Sequence, residues 1–239
     1  MNETANEKKM GFLDHLDELR IRLIICVAAM LLTTAGCYFF SIDALKFLEK
    51  MTDAKIQVLG PLDAFMIRLK VSAVMGLAVA SPVIFTEIWL FVAPALRKNE
   101  KKYAIPLIVS SVLLFILGGA FSMYIFPTTI RVLERFGGGV VEFNYTLDKF
   151  VSYATGFIVS FGAVFQIPLV LFFLGKIGIV NYKLLASNRK FAALIAIALG
   201  AIITPDPFTN LVASLPLYLL FEIGTLLVRL SNPSQSTQI

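Results

Sequence analysis

Six apolar stretches separated by short charged segments organise the sequence. The uncharged runs cover residues 23–40, 71–86, 103–130, 150–175, 191–205 and 207–221. A helix needs about 20 predominantly apolar residues to cross a bilayer, and two of the shorter runs exceed that length if Glu87 and Glu222 are tolerated within them. The pattern predicts six transmembrane helices, of which the fifth is short, at about residues 23–40, 71–96, 104–127, 150–175, 191–205 and 207–228.

The composition agrees with this pattern. Hydrophobic residues make up 58% of the chain and charged residues 15%, which is unlike a soluble domain. We therefore expect an all-α integral membrane protein with a single domain over residues 1–239, in which residues 1–22 form a leader along the interface. A cleaved signal peptide is the alternative for the first run, but the run is longer than the apolar part of such a peptide and acids precede it. Six prolines in or beside the runs predict bent helices around a concave surface: Pro82, Pro94, Pro106, Pro127, Pro168 and Pro216.

Lysine and arginine are distributed unequally between the two sides of the predicted bundle. The segments on the side that includes both chain ends carry 13 basic residues, whereas the longer segments on the other side carry eight. Because positively charged loops are retained in the cytoplasm, both termini are expected there. The net charge of +5 then suits an inner membrane face of anionic lipid and needs no nucleic acid to explain it.

The segments on the outer side contain signals for short ordered elements. Ser41 is expected to cap a short helix lying on the interface, because the apolar residues after it share one face. Pro61 suits the first turn of a helix that continues into the second span. Thr146 is expected to cap the start of the fourth span. Together these signals predict a structured outer cap.

Signals for catalysis are poor. The chain has a single histidine, His15, so no zinc motif with two histidines can form, and neither a nucleophile elbow nor a phosphate-binding loop is present. We expect no enzymatic activity, no metal and no cofactor. Energy for any transport does not come from ATP bound by this chain.

Three polar side chains at membrane depth are more informative, because such groups usually face a cavity or a partner. Glu87 and Glu222 lie near the cytoplasmic ends of spans two and six, where an anchoring role and a functional role are both open. Gln166 lies deep in span four, two residues before Pro168. A proline there lets the helix bend, so the pair could line a groove, although a hydrogen bond between helices explains Gln166 as well.

Several strings occur in order and resemble one family. They are HLDELRIRL at 15–23, ASPVI at 80–84, WLFVAPAL at 89–96 with EKK at 100–102, FGAVFQIP at 161–168, GAIITPD at 200–206 and FEIG at 221–224. The sequence resembles the TatC family, the multi-spanning subunit of the twin-arginine protein translocase. The strings span nearly the whole chain, and their joint order is far more specific than any one of them.

The resemblance implies a receptor in the bacterial inner membrane that binds twin-arginine signal peptides of folded cargo. It further implies partner subunits of the TatA and TatB type, other copies of the chain, and transport driven by the proton-motive force. The signal-binding acids of the family map onto Glu18 and Glu100. The resemblance also draws attention to a supporting cytoplasmic motif and to one outer-loop acid: Leu16, Leu19, Arg20, Phe91, Pro94 and Asp206.

Two positions depart from the family pattern. The family usually has glutamate where this chain has Gln166, and commonly glutamine where it has Glu87. Because Gln166 can form hydrogen bonds but carries no charge, we expect that only polarity is needed in span four.

Two other function classes compete with the receptor hypothesis. A small-solute secondary transporter would show repeat symmetry and paired broken helices near the midplane, and neither is evident. An intramembrane enzyme would need a nucleophile paired with a base, which the sequence does not offer.

Overall fold

The structure is a computed structural model that describes residues 3–52, 56–57, 60–92, 104–136, 145–204 and 207–231. Helices account for nearly all of these residues. In chain order the elements are α1 (Glu3–Cys37), a 3-10 turn (Tyr38–Phe40), α2 (Ser41–Thr52), β1 (Ile56–Gln57), α3 (Pro61–Val92), α4 (Ala104–Phe136), β2 (Tyr145–Thr146), α5 (Leu147–Val164), α6 (Ile167–Lys176), α7 (Tyr182–Ser187), α8 (Arg189–Ile203) and α9 (Pro207–Ser231).

The helices are long and apolar enough for a membrane protein. Within the described residues, five segments could cross a bilayer by length and composition, namely His15–Thr52, Leu62–Val92, Ile105–Arg135, Leu147–Lys176 and Thr209–Leu230. The fourth of these combines α5 and α6. The predicted fifth span corresponds to α8, whose 15 residues extend only about 22 Å at the rise of an α-helix.

Packing joins the helices pairwise. Helix α1 packs on α3, α3 also contacts α4 and α5, and both α6 and α8 pack on α9. The main core lies among α3, α4, α5 and α9, and its fully buried members include Ile67, Val151, Phe157, Phe161 and Ala213. Many large apolar side chains remain on the outside; Leu32 and Ile202, for example, are 75% and 82% exposed. Such a surface suits contact with lipid.

The interface between α1 and α3 is unusually close. The Thr33 hydroxyl donates a hydrogen bond to the Gly76 carbonyl oxygen at 2.9 Å. A Cβ atom at Gly76 would lie 2.7 Å from the backbone N and Cα of Thr34, nearer than real Cβ contacts. Glycine at this position therefore allows the two backbones to touch, as small residues do between membrane helices.

The outer elements agree with the prediction in part. Helix α2 is present, α3 begins at Pro61, and β1 pairs in parallel with β2. The capping role predicted for Ser41 was wrong, because α1 runs through the 3-10 turn into α2 without a free helix start. The Ser41 hydroxyl instead donates to the Tyr38 carbonyl and accepts from Arg68. Thr146 occupies the N-cap position of α5, but its side chain forms no capping hydrogen bond.

A two-residue turn at Phe165 and Gln166 separates α5 from α6. Gln166 is the N-cap residue of α6, and Pro168 is the second residue of that helix. Proline is well placed in a first turn because its missing N–H would be unpaired there in any case. The interruption therefore lies immediately before Ile167 and Pro168.

Candidate functional site

An open groove of about 500 Å³ lies between α1 and α3, and six side chains line it: Asp17, Glu18, Ile21, Arg22, Ile25 and Glu87. We call it the acidic groove. Its three carboxylates and one guanidinium leave a formal charge of −2. A groove of this charge at the end of a membrane bundle favours cationic ligands.

The acidic groove forms because α1 and α3 run antiparallel, which brings Glu18 and Arg22 of α1 beside Glu87 of α3. Glu18 and Arg22 are four residues apart on α1 and therefore share one helix face. Glu87 comes from the last turns of α3, which α1 reaches because the same helix pair is held at Thr33 and Gly76. The two carboxylates thus approach one guanidinium from two helices.

Arg22 is the centre of this arrangement. Its Nε and Nη2 atoms donate hydrogen bonds of 3.0 and 2.7 Å to Oε1 of Glu18, and its Nη1 donates one of 2.8 Å to Oε2 of Glu87. The side chain of Glu87 is only 16% exposed, whereas that of Glu18 is 36% exposed. Glu87 therefore does not extend to solvent as an isolated anchor but forms an ion pair at the inner wall of the groove.

Two aromatic rings stack beside Glu18. The rings of His15 and Phe91 are 4.3 Å apart between centroids and nearly parallel, with an interplanar angle of 8°. His15 Nδ1 lies 3.6 Å from Oε2 of Glu18. Phe91, which the resemblance singled out, thus supports the leader helix from α3.

The other predicted leader residues are more exposed. Leu16 and Leu19 are 45% and 42% exposed. Arg20 is exposed and forms no ion pair with another side chain in the described part of the chain. None of the three lines the acidic groove. Their side chains are available to lipid or to a ligand.

Gln166 joins a second polar cluster inside the bundle. Its amide nitrogen donates to the backbone oxygen of Ser111 at 3.1 Å, and the indole nitrogen of Trp89 donates to the Ser111 hydroxyl at 2.7 Å. Gln166 also lines a cavity of about 210 Å³ with Ser81 and Phe85 of α3. Gln166 therefore forms the hydrogen bond between helices and also borders a cavity, whereas Pro168 does not line that cavity.

Glu222 forms a third cluster, on α9. Arg189 at the start of α8 donates to both carboxylate oxygens, at 2.9 and 3.0 Å, and the Tyr218 hydroxyl adds a hydrogen bond of 2.9 Å. This bidentate pair ties the beginning of α8 to α9. It gives Glu222 a structural partner and leaves it separate from the acidic groove.

Three predicted residues, Glu100, Pro94 and Asp206, lie outside the described residues. Within the described part of the chain, no group of three or more His, Cys, Asp or Glu side chains could hold a metal ion. Sequence reasoning did not single out Arg22, which entered only within the HLDELRIRL string at 15–23 and among the basic residues used to predict the topology. Its spacing of four from Glu18 was the signal that could have identified the pair.

The arrangement is suited to recognising an arginine. A carboxylate with two acceptor oxygens matches the planar fork of a guanidinium better than it matches an ammonium group. In the contact of Arg22 with Glu18, two guanidinium nitrogens donate to one carboxylate oxygen, Oε1, so Oε2 accepts no hydrogen bond from Arg22.

Comparisons with known proteins agree on one family. The family model described as Sec-independent protein translocase protein (TatC) matches residues 14–216. A TatC protein of Aquifex aeolicus is 36% identical over 233 residues, covering 93% of this chain and 96% of its own. A TatC protein of Helicobacter pylori strain J99 is 34% identical over 222 residues, covering 92% and 89%. A crystal structure of the twin-arginine translocase receptor TatC superposes with a TM-score of 0.80 at 35% identity, covering 91% of this chain and 99% of that one. The chain therefore belongs to the TatC family.

Proposed function

We propose that the chain is the receptor subunit of a twin-arginine protein translocase. It binds the twin-arginine signal peptides of folded proteins and works with TatA- and TatB-type subunits and with other copies of itself, using the proton-motive force. Membership of the TatC family and the likeness to a structure named as the translocase receptor support this role. The same membership favours it over a small-solute transporter or an enzyme.

The observation that carries the proposal is the pairing of Glu18 with a guanidinium in an open, negatively charged groove. Glu18 and Glu100 are proposed as the acids that bind the two peptide arginines. Leu16, Leu19 and Arg20 on the leader, with Phe91 and Pro94 at the end of span two, are proposed to flank the bound peptide. No step of this role requires covalent chemistry or a cofactor.

We further propose six crossings of the bacterial inner membrane, with both termini in the cytoplasm and a single domain over residues 1–239. Helix α8 is the predicted fifth span and adds one crossing to the five longer segments. Its exposed apolar residues support this: Leu194 is 62% exposed and Ile202 is 82% exposed. A span of about 22 Å is shorter than a typical hydrocarbon core, so the bilayer is thinned beside it. Asp206 then lies on the outer side.

Site-specific cross-linking tests the receptor role. A photoreactive residue at Asn99, next to Glu100, should cross-link to a signal peptide that carries two arginines. The same residue at Asp43 on α2 serves as the matched control and should not cross-link. Replacing both peptide arginines by lysine should abolish the product at residue 99. Equal cross-linking of both peptides would contradict the proposed function.

A further inference from the structure

The acidic groove already holds a guanidinium that belongs to the protein. Arg22 donates two hydrogen bonds to Glu18 and one to Glu87, so all three nitrogens of its guanidinium are engaged. A signal-peptide arginine would be recognised through the same carboxylate chemistry. It therefore has to compete with Arg22 for Glu18.

We propose that Arg22 is a resident occupant of the guanidinium site on Glu18, and that a signal-peptide arginine displaces it onto Glu87. This inference rests on the function proposed above and assigns two further residues that set the affinity and specificity of the site. Arg22 and Glu87 are positioning residues in this scheme, because they act on the peptide through Glu18.

The contacts of Glu18 leave an incoming arginine a point of entry. Both hydrogen bonds from Arg22 end on Oε1. The other oxygen, Oε2, lies 3.6 Å from His15 Nδ1, which is longer than a hydrogen bond. A peptide guanidinium can thus begin with Oε2, but it completes a bidentate pair only after Arg22 leaves Oε1.

Glu87 is able to retain the displaced Arg22. It already accepts a hydrogen bond of 2.8 Å through Oε2, and its Oε1 accepts none from any other described side chain. Its side chain is less exposed than that of Glu18, so an ion pair there is less screened by salt. Transfer would convert the single contact between Arg22 and Glu87 into a bidentate pair.

The charge of the acidic groove favours entry while Arg22 is still bound. Asp17, Glu18 and Glu87 outweigh Arg22 by two charges, so a peptide arginine is attracted rather than repelled. Without Glu87, Arg22 would be held by Glu18 alone and would compete more strongly with the peptide arginine for that carboxylate. Glu87 is therefore expected to strengthen signal binding indirectly.

If Arg22 served only as a structural link between α1 and α3, changing it would weaken peptide binding. Loss of such a link would weaken peptide binding whichever partner is removed. Displacement instead predicts that changing Arg22 strengthens binding and that changing Glu87 weakens it. The sign of the Arg22 effect therefore separates the two roles.

The test measures dissociation constants of the purified full-length chain in lipid nanodiscs for two fluorescent signal peptides. One carries twin arginines, and the other carries two lysines at the same positions. Arg22→Lys keeps the positive charge but loses the planar fork, so the arginine peptide should bind about two- to fivefold more tightly while the lysine peptide is unchanged. Glu87→Gln should weaken arginine-peptide binding by about the same factor, and this loss should shrink in the double variant Arg22→Gln/Glu87→Gln.

Arg135→Gln on α4 and Glu49→Gln on α2 are matched charge controls, since both residues are exposed and outside the acidic groove. Both are expected to bind like the wild type. Arg22→Gln should bind the arginine peptide more tightly than the wild type. If Arg22→Gln does not fold, Arg22→Lys and Glu87→Gln decide the question.

Three results would overturn the inference while leaving the receptor role intact. The first is that Arg22→Lys binds the arginine peptide no more tightly than the wild type does. The second is that Arg22→Lys binds both peptides more tightly by the same factor. The third is that Glu87→Gln weakens binding of the arginine peptide by the same factor whether or not Arg22 is present. A wild-type chain that binds the two peptides equally would instead reject the proposed function, and the displacement scheme with it.

Discussion

Gly76 controls how closely α1 approaches α3, and the addition of a single methyl group tests this contact. In Gly76→Ala the new Cβ atom would lie 2.6 Å from Thr34 Oγ1 and 2.7 Å from the backbone N and Cα of that residue. Ordinary contacts begin near 3.4 Å, so α1 and α3 must separate by about 0.7 Å. Because the obstructing atoms include backbone, no side-chain rotation relieves the overlap.

The energetic cost has two parts. Overpacking of this kind costs about 1–3 kcal/mol. The separation would also stretch the hydrogen bond from Thr33 to Gly76 from 2.9 Å to beyond bonding distance. Because the Ala29 carbonyl oxygen, also 2.9 Å from the Thr33 hydroxyl oxygen, can still accept its proton, this loss adds at most about 0.6 kcal/mol. Gly156→Ala is the matched control, because a Cβ atom there meets nothing within 4 Å. We expect Gly76→Ala to be less stable than Gly156→Ala by about 2–3 kcal/mol.

Reversible unfolding in mixed detergent micelles measures this difference. The chain has one tryptophan, Trp89, which is buried against Leu107 and Leu169, so its fluorescence reports on the packing of α3. Peptide binding should also weaken in Gly76→Ala, since the helices that carry Glu18 and Glu87 move apart. Equal stability of the two alanine variants would refute the close approach of α1 and α3.

Three further predictions concern Glu100, Gln166 and Arg189. Glu100→Ala should weaken binding of a twin-arginine peptide by about tenfold or more, since charge-assisted hydrogen bonds are strong. Glu222→Ala should leave this binding nearly unchanged, and equal affinities of the two variants would reject Glu100 as a signal-binding residue. Gln166→Leu should lower export of a folded reporter protein severalfold, because the hydrogen bond to Ser111 is lost, and normal export would show that polarity is not needed there. Arg189→Gln should reduce the free energy of unfolding by at most about 1 kcal/mol, because this ion pair is half exposed, while the neighbouring Lys190→Gln should have no effect in the same measurement.

The long apolar helices were predictable from the sequence because bilayer thickness fixes their length. Five of the six uncharged runs overlap segments that are long enough to span, and Pro61 marked a helix start that the structure contains. These features depend on local chemistry alone. The same local reasoning failed at Ser41, since nothing in the residues around it shows that α1 continues into α2.

The polar clusters were less predictable because they depend on contacts between distant residues. Glu222 was recognised as unusual, but its partner Arg189 lies 33 residues away. Glu87 and Arg22 are 65 residues apart, and only the antiparallel packing of α1 on α3 brings them together. A charge pattern along one chain identifies candidates for pairing, whereas the pairing itself requires the helix packing.

The two departures from the family pattern have a common physical explanation in the neighbours of each residue. The described polar neighbour of Gln166 is the backbone oxygen of Ser111, an acceptor that needs a donor and offers nothing to an ionised carboxylate. The neighbour of Glu87 is a guanidinium, which favours a carboxylate over an amide. An amide at 166 and an acid at 87 therefore each match the group they meet. Of these two positions, the one that carries a carboxylate is Glu87, beside Arg22 in the acidic groove, where signal recognition is proposed.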